Sequence, residues 1–213
     1  MEEVLLRYFP DLTSDQADKL SGLEAIYSRW NRMINVISRK DIENFIVHHV
    51  LHSLSIARVF QFTQGTKVLD VGTGGGFPGI PLSIVFPATE FTLLDSTRKK
   101  IKVVSAVADE LGLTNVIPLN KRVEDEKGIY DFATGRAVID FQSFVKLTKK
   151  NLKSPANRLQ QGGIICLKGG DLSPELGNYR NKVRIWNIRD IFDDPFFETK
   201  KIVYLPFQNI NNN

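Results

Sequence analysis

The chain has 213 residues, of which 42% are hydrophobic, so it is long enough for one α/β domain with a substantial core plus an extension. No stretch reaches the roughly 18 consecutive apolar residues of a membrane span, no secretory leader is visible, and the single cysteine, Cys166, excludes an internal disulfide, so we expect a cytoplasmic protein. The net charge is +4, with residues 1–60 at −1 and residues 61–213 at +5, so the cationic excess lies in the part of the chain after residue 60.

Residues 1–60 are predicted to form an N-terminal helical cap and residues 61–213 the domain that carries the site, the two packing as one compact unit. Thr13 and Gln16 have the spacing of a capping box, which predicts that a helix begins there. Asp41 is predicted to cap a following helix. Apolar residues recur at helical spacing between these two points, namely Leu20, Leu23, Ile26, Tyr27, Trp30, Ile34 and Ile37.

Three histidines near the end of the cap raise the question of a metal site. His48 and His52 would share one helix face, but no nearby cysteine or glutamate supplies a third ligand at metal-binding spacing. We therefore expect no structural metal. For His52 the expectation is an exposed, neutral side chain, and a pH-sensitive contact is the alternative.

A glycine-rich turn after the first predicted strand is the strongest signal in the sequence. The strand covers residues 67–71 and includes Asp70, and a helix is predicted from Pro81 onward. Glycines are needed in such a turn for positive φ and for close approach of a ligand to the backbone N–H groups. The glycines of this turn are Gly72, Gly74, Gly75 and Gly76.

An acidic residue follows at the distance expected of a nucleotide-type site. The second predicted strand, residues 91–94, leads into Asp95, which lies 19 residues beyond Gly76 and is placed to bind ribose hydroxyls. A dinucleotide fingerprint would need a small residue where Phe77 stands, which disfavours a nicotinamide dehydrogenase. The spacing of Gly72, Gly74 and Gly76 is instead similar to the S-adenosylmethionine loop of class I methyltransferases. A glycine-rich turn without a ligand is the alternative.

The remaining chain is predicted to alternate helices and strands, which completes a Rossmann-like, mostly parallel sheet. The similarity to class I methyltransferases implies that the last strand is antiparallel. Helix 98–111 begins with four cations in five residues, which indicates either contact with RNA phosphates or a solvated face. A long loop is predicted near residues 153–159 and a polar tail over residues 210–213. The other predicted elements are strands 115–119, 130–134, 164–168, 184–188 and 201–205 and helix 141–152.

Asp70 to Ile84 closely resembles the loop D-V-G-T-G-x-G-x-P-G-[IL]-P-L of the small-subunit (16S) ribosomal RNA guanine-N7 methyltransferases, a family also called glucose-inhibited division protein B. Leu93-Leu94-Asp95-Ser96 resembles its next motif, and the resemblance covers about residues 20–205. It implies S-adenosylmethionine as cofactor and small-subunit ribosomal RNA, or a ribosomal particle, as partner. The residues implied to bind the cofactor are Asp70, Gly72, Gly74, Gly76, Phe77, Asp95, Val123, Glu124 and Arg136.

Three cations match further family motifs and are implied to orient guanine and phosphates. Arg122 matches the arginine of S-R-V-E, Arg136 that of [ST]-R-A, and Lys168 the lysine of L-K-G. Guanine N7 carries a lone pair and no proton, so its methylation needs no general base. The chain departs from the family pattern in three places: His52 stands where Asp is usual, Gly135 where Ser is usual, and Lys200 near the position of an arginine.

Two other functions remain as alternatives. A small-molecule methyltransferase on the same fold would need an enclosed apolar pocket and little basic surface. A non-enzymatic RNA-binding module would be favoured by loss of the glycines or of Asp95, and both are intact. We expect a monomer that binds neither a membrane nor a metal.

Overall fold

The computed structural model describes residues 2–154 and 162–210, so the predicted loop over 153–159 and the polar tail fall largely outside the described residues. Its seven-stranded sheet has the order β3-β2-β1-β4-β5-β7-β6. β7 pairs antiparallel with β5 and β6, and the other pairings are parallel, which confirms the predicted mixed sheet. The strands are β1 Lys67–Val71, β2 Glu90–Asp95, β3 Val116–Asn120, β4 Phe132–Arg136, β5 Gly163–Gly169, β6 Arg184–Asn187 and β7 Lys200–Pro206.

Helices form the cap and cover the sheet. A π-helix over Ile46–Leu51 leads directly into α4. The α-helices are α1 Glu2–Tyr8, α2 Ser14–Asn31, α3 Arg39–Ile42, α4 His52–Leu54, α5 Gly79–Val85, α6 Arg98–Glu110, α7 Phe141–Thr148 and α8 Ser173–Leu176.

The predicted start of α2 is confirmed, and that of the next helix is wrong. Thr13 and Gln16 form the predicted capping box at the start of α2. The next helix, α3, is capped by the Ser38 side chain, which accepts from the backbone N–H of Asp41. Asp41 therefore lies inside the first turn of α3, and its carboxylate pairs with His48 at 3.0 Å.

One hydrophobic cluster joins the cap to one face of the sheet. It includes Leu20 and Tyr27 of α2 together with Phe91, Phe132 and Ile202 of the sheet, all almost completely buried. Because the two parts bury their apolar side chains against each other, the position of the cap is coupled to the strand ends.

The order in which successive strands are added to the sheet reverses between β1 and β4. From β1 it proceeds outward through β2 to β3, and then returns to place β4 on the other side of β1. In such a sheet a crevice forms at the carboxyl ends of the strands on either side of this reversal, and ligands bind there.

β4 ends two residues later than the sequence predicts, at Arg136, and Gly135 lies in this added part of the strand. A Cβ at Gly135 would lie 2.6 Å from Phe144 Cε2 and 3.2 Å from the carbonyl oxygen of Val71. Phe144 is buried on α7, so the glycine lets α7 pack closely on the strand.

Restoring the serine that is usual in the family is therefore expected to destabilise this chain. Gly135→Ser should lower the free energy of unfolding by about 1–3 kcal/mol, because it overpacks a filled core. Thermal unfolding would measure the change, with Gly22→Ser as a control because nothing lies within 4 Å of a Cβ at that position. Phe144→Leu should recover part of the loss in the double variant. An unchanged melting temperature for Gly135→Ser would contradict this account.

Candidate active site

Asp70 lies under the glycine-rich turn and holds its two ends together. Its carboxylate Oδ2 accepts hydrogen bonds from Thr73 Oγ1 at 2.6 Å and from the Gly79 N–H at 3.0 Å. The side chain is completely buried, and Oδ1 has no partner among the described residues. Burial raises the pKa of this carboxyl to about 7, although the two hydrogen bonds and Arg136 act in the opposite direction.

Asp70 is expected to make stability depend on pH. Its ordinary pKa is 3.8 and its folded pKa is about 7, so the folded chain holds this proton more tightly than the unfolded chain. The stabilisation is full below about pH 4 and is lost as the pH rises through 7. Relative to Asp70→Asn, the wild-type free energy of unfolding should fall by up to on the order of 4 kcal/mol across this range. Urea unfolding of both proteins at several pH values would test this, and a constant difference would contradict it.

The glycines of the turn adopt conformations that side chains rarely tolerate. Gly72, Gly74 and Gly76 have φ angles of 65°, 61° and 101°. The Gly74 N–H donates to Asp95 Oδ2 at 3.0 Å, which links the turn after β1 to the end of β2. A Cβ at Gly72 would lie 2.7 Å from Val138 Cγ1, so only glycine leaves this part of the backbone open.

Asp95 has hydrogen-bonding capacity beyond the contacts that it makes. Oδ2 accepts from Gly74 and Oδ1 accepts from the Thr97 N–H at 2.8 Å, while Lys100 Nζ lies 3.7 Å away. A carboxylate offers about four lone-pair positions, so about two remain for the hydroxyls of a ligand. The side chain is 7% exposed and faces a cavity.

This first cavity, of about 460 Å³, opens along the carboxyl ends of β1, β2 and β3. It combines the acceptor Asp95, the backbone of Gly72 and several cations. This set of groups fits an adenosine that carries a charged tail. The residues that form its polar and glycine wall are Gly72, Asp95, Ser96, Lys100, Lys121, Arg122, Val123, Glu124 and Arg136.

A second cavity, of about 360 Å³, lies beside the first and shares Arg136, Ala137 and Val138 with it. It is open to solvent, and cations outnumber carboxylates around it. The side chains that face it are His52, Arg136, Val138, Ile139, Asp140, Leu167, Lys168, Glu175 and Lys200. The two cavities are thus neighbours at the carboxyl end of β4, where a cofactor and a substrate would meet.

Arg136 is the charged residue on the wall between the cavities. Its guanidinium donates to the His48 carbonyl oxygen at 3.1 Å and contacts His49 Nδ1 at 2.9 Å, and it lies 5.0 Å from the Phe77 ring centre. Burial lowers the pKa of Arg136 to about 10, which leaves it cationic at neutral pH. It forms no ion pair with a carboxylate of the described residues, and it lines both cavities.

Most of the predicted site residues lie at this crevice, but they have different roles there. Gly72, Asp95, Val123, Glu124 and Arg136 line the first cavity. Phe77 is buried beneath Arg136 in contact with Tyr27 and His49, and Asp70, Gly74 and Gly76 shape the turn without lining the cavity. Lys168 lines the second cavity, whereas Arg122 lines only the first.

Sequence reasoning missed Glu175 and the apolar pair Val138 and Ile139. Lys168 Nζ donates to Glu175 Oε2 at 2.6 Å, and both side chains face the second cavity. Val138 and Ile139 also line it and remain 37% and 36% exposed. No motif marked these residues; the only signal was their position shortly after β4 and β5.

The histidines differ from expectation. His52 is 6% exposed, so the expected exposed side chain is wrong: it packs against Phe196 and Phe197 where the cap meets the sheet. Burial holds the pKa of His52 well below its usual range, which keeps it neutral.

Across residues 2–154 and 162–210, no group of three or more His, Cys, Asp or Glu side chains could hold a metal ion. Nor does any helix in those ranges have the length and apolarity to cross a membrane.

The strand order, the glycine turn after β1 and the acid at the end of β2 define the fold of the class I S-adenosylmethionine-dependent methyltransferases. Solved structures agree with this class. An O-methyltransferase of this kind from Thermotoga maritima has a TM-score of 0.59 and 14% identity, covering 78% of this chain and 69% of that one. A methyltransferase from Aquifex aeolicus has a TM-score of 0.54 and 16% identity, covering 84% and 97%.

Sequence comparison identifies the family. The model of the rRNA small subunit methyltransferase G family matches residues 16–194. Proteins named ribosomal RNA small subunit methyltransferase G are 50% identical in Bacteroides thetaiotaomicron, over 95% of this chain and 98% of the relative, and 51% identical in Flavobacterium psychrophilum, over 98% and 99%. The chain therefore belongs to the rRNA small subunit methyltransferase G family, and the resemblance seen in the glycine turn is confirmed.

Proposed function

We propose that this chain transfers the methyl group of S-adenosylmethionine to N7 of a guanine in small-subunit (16S) ribosomal RNA. One observation carries the proposal: an adenosine-type cavity and a cationic cavity meet at Arg136. Family membership supplies the substrate class, because the relatives are named for methylation of small-subunit ribosomal RNA. When bound, the cofactor supplies a methyl carbon attached to a positively charged sulfur. The lone pair of N7 attacks this carbon, and the electron pair of the broken S–C bond stays on sulfur.

The first cavity fits this cofactor through groups that the chain already holds in place. Asp95 offers its remaining lone pairs to ribose hydroxyls, and Gly72 leaves its backbone open. The short helical turn at Val123 and Glu124 lines the same cavity, and we assign it to the adenine. Arg122 lies on this side as well, so its proposed role is at the cofactor rather than at the guanine. Arg136 supplies the positive charge for an anionic group that binds at the boundary between the two cavities.

The second cavity supports a nucleic-acid substrate rather than a small apolar one. It is an open site whose cations include Lys168 and Lys200, and Lys200 Nζ lies 4.8 Å from the Phe196 ring centre. An unpaired or flipped guanine can enter such a site, and phosphates can bind to cations at its rim. A small-molecule methyltransferase would instead enclose its substrate among apolar side chains.

The chain's own chemistry is suited to positioning. Attack by N7 releases no proton, so the residues need only orient the base and exclude water. Cys166 is buried within β5 and burial raises its pKa to about 12, so it is not a nucleophile for attack on a base. Asp70 is shielded under the turn and supports the loop rather than moving a proton.

We further propose a cytoplasmic monomer in which the cap and the methyltransferase part act as one unit.

The decisive experiment supplies labelled S-adenosylmethionine and unmodified small-subunit RNA, both naked and assembled into particles. Mapping of N7-methylguanine by cleavage at the modified base is expected to show one modified position. Transfer to a different atom or a different RNA would overturn the proposal, and so would binding of RNA without any transfer, which would favour the non-enzymatic alternative.

A further inference from the structure

Glu175 is the carboxylate that faces the second cavity from α8, and it is fixed in orientation. Its Oε2 accepts hydrogen bonds from Lys168 Nζ at 2.6 Å and from the Phe141 N–H at 2.9 Å. These two donors come from the end of β5 and the start of α7, so Glu175 joins the elements on either side of the cavity. Its side chain is 21% exposed, which leaves it within reach of a bound molecule.

The other oxygen of this carboxylate is unused. Within residues 2–154 and 162–210, no group donates a hydrogen bond to Glu175 Oε1. The neighbouring Lys168 uses two of its three N–H groups, on Glu175 and on the Ile139 carbonyl oxygen at 2.6 Å. The cavity therefore presents one remaining donor and one strong acceptor side by side.

We propose that Glu175 determines the base specificity of the reaction by accepting hydrogen bonds from the N1–H and N2 amino groups of the target guanine. The inference rests on the proposed function and assigns a task to a residue that the reaction itself does not require. It follows from which groups are neighbours. Arg136 lines both cavities and pairs with Leu167 in the register of β4 and β5, Lys168 is the next residue of β5, and Lys168 Nζ bonds to Glu175, which gives the succession Arg136, Lys168, Glu175. Guanine presents N7, O6, N1 and N2 in the same order along its edge.

This order gives each group a complementary partner. With N7 directed at the first cavity, the O6 acceptor meets the free N–H of Lys168, and the N1–H and N2 donors meet Glu175 Oε1. Adenine would place its N6 amino donor against Lys168 and its N1 lone pair against the carboxylate. Both contacts would be repulsive or unpaired, and a site built to hydrogen-bond one partner rejects an analogue that leaves its polar groups unsatisfied.

Glu175→Gln is a sharp probe because its geometry is constrained. Lys168 and the Phe141 N–H both donate toward the Oε2 position, so the amide oxygen of glutamine should occupy it. The amide NH₂ then replaces Oε1 and points a donor at the donors of guanine. Glu3, which is exposed on α1 and lines neither cavity, provides the matched control Glu3→Gln.

The experiment measures kcat/KM for RNA that carries guanine or inosine at the target position, using naked RNA and particles assembled from it. Inosine keeps N7, O6 and N1–H but lacks the N2 amino group. Wild type and Glu3→Gln should prefer guanine by about tenfold, the loss expected for one hydrogen bond to a charged acceptor. Glu175→Gln should lower kcat/KM for guanine by at least about tenfold and should reduce the guanine-to-inosine ratio toward one.

Two results would overturn the inference while leaving the proposed function intact. One is wild-type protein that methylates N7 of guanine and of inosine equally well, which needs no variant. The other is a folded Glu175→Gln protein that loses activity equally on both bases, because that pattern assigns Glu175 only to holding Lys168. Wild-type protein that transfers no methyl group to guanine N7 would instead overturn the proposed function and this inference with it.

Discussion

Replacing Asp95 with alanine is expected to weaken cofactor binding by about 100-fold. The carboxylate accepts from the Gly74 and Thr97 N–H groups and has about two lone-pair positions left for the ribose hydroxyls. Hydrogen bonds to a charged acceptor contribute about 1.5–3 kcal/mol each, so the loss of both should cost at least about 3 kcal/mol. The substitution also frees the Gly74 N–H from its partner, which loosens the turn that borders the cavity.

Calorimetric titration with S-adenosylhomocysteine, the product of methyl transfer, would measure this change. Asp109→Ala provides the control, because Asp109 is exposed on α6 and lines neither cavity. A 2′-deoxyribose analogue of the ligand separates the two effects: it should bind wild type more weakly than the parent ligand does, whereas the two ligands should bind Asp95→Ala alike. Unaltered affinity of the alanine variant would refute the ribose assignment.

The residues of the first cavity could be predicted because their spacing is local. The turn from Gly72 to Gly76 and the acid at Asp95 belong to one β1-α5-β2 unit, whose geometry follows from its strand and helix lengths. Lys168 could also be placed, since it lies near the end of a strand whose carboxyl end points toward the crevice. The positions of these residues follow from the direction in which each strand runs.

The remaining site residues depend on the order of strands, which no single motif specifies. Arg122 follows β3, and β3 pairs on the far side of β2, so Arg122 lies at the cofactor cavity and away from the second one. Glu175 reaches the second cavity only because the chain after β5 folds back as α8 against α7. His52 becomes buried because Phe196 and Phe197, far along the chain, cover it. These contacts join segments that are distant in sequence.

Replacing Arg136 with alanine is expected to reduce methyl transfer by at least about 1,000-fold and also to destabilise the protein. The guanidinium bonds to the His48 carbonyl oxygen and to His49 Nδ1, so it ties the cap to the end of β4. Its removal takes the guanidinium from these two part-buried acceptors, at a cost of up to about 1–3 kcal/mol each, partly offset because a buried charge is also removed. The larger effect falls on the reaction, because this is the cation on the wall shared by the two cavities.

Arg136→Lys separates the structural task from the chemical one. Lysine keeps the positive charge but lacks the planar fork that reaches His48 and His49 at the same time. We expect Arg136→Lys to keep some activity above Arg136→Ala, because an anion at the boundary still meets a cation, while its melting temperature should fall below that of wild type. Arg189→Ala, on the surface beyond β6, is the control. Methylation assays and thermal unfolding of the three variants would test this. Full activity in Arg136→Ala would remove Arg136 from the site and leave it only the task of anchoring the cap.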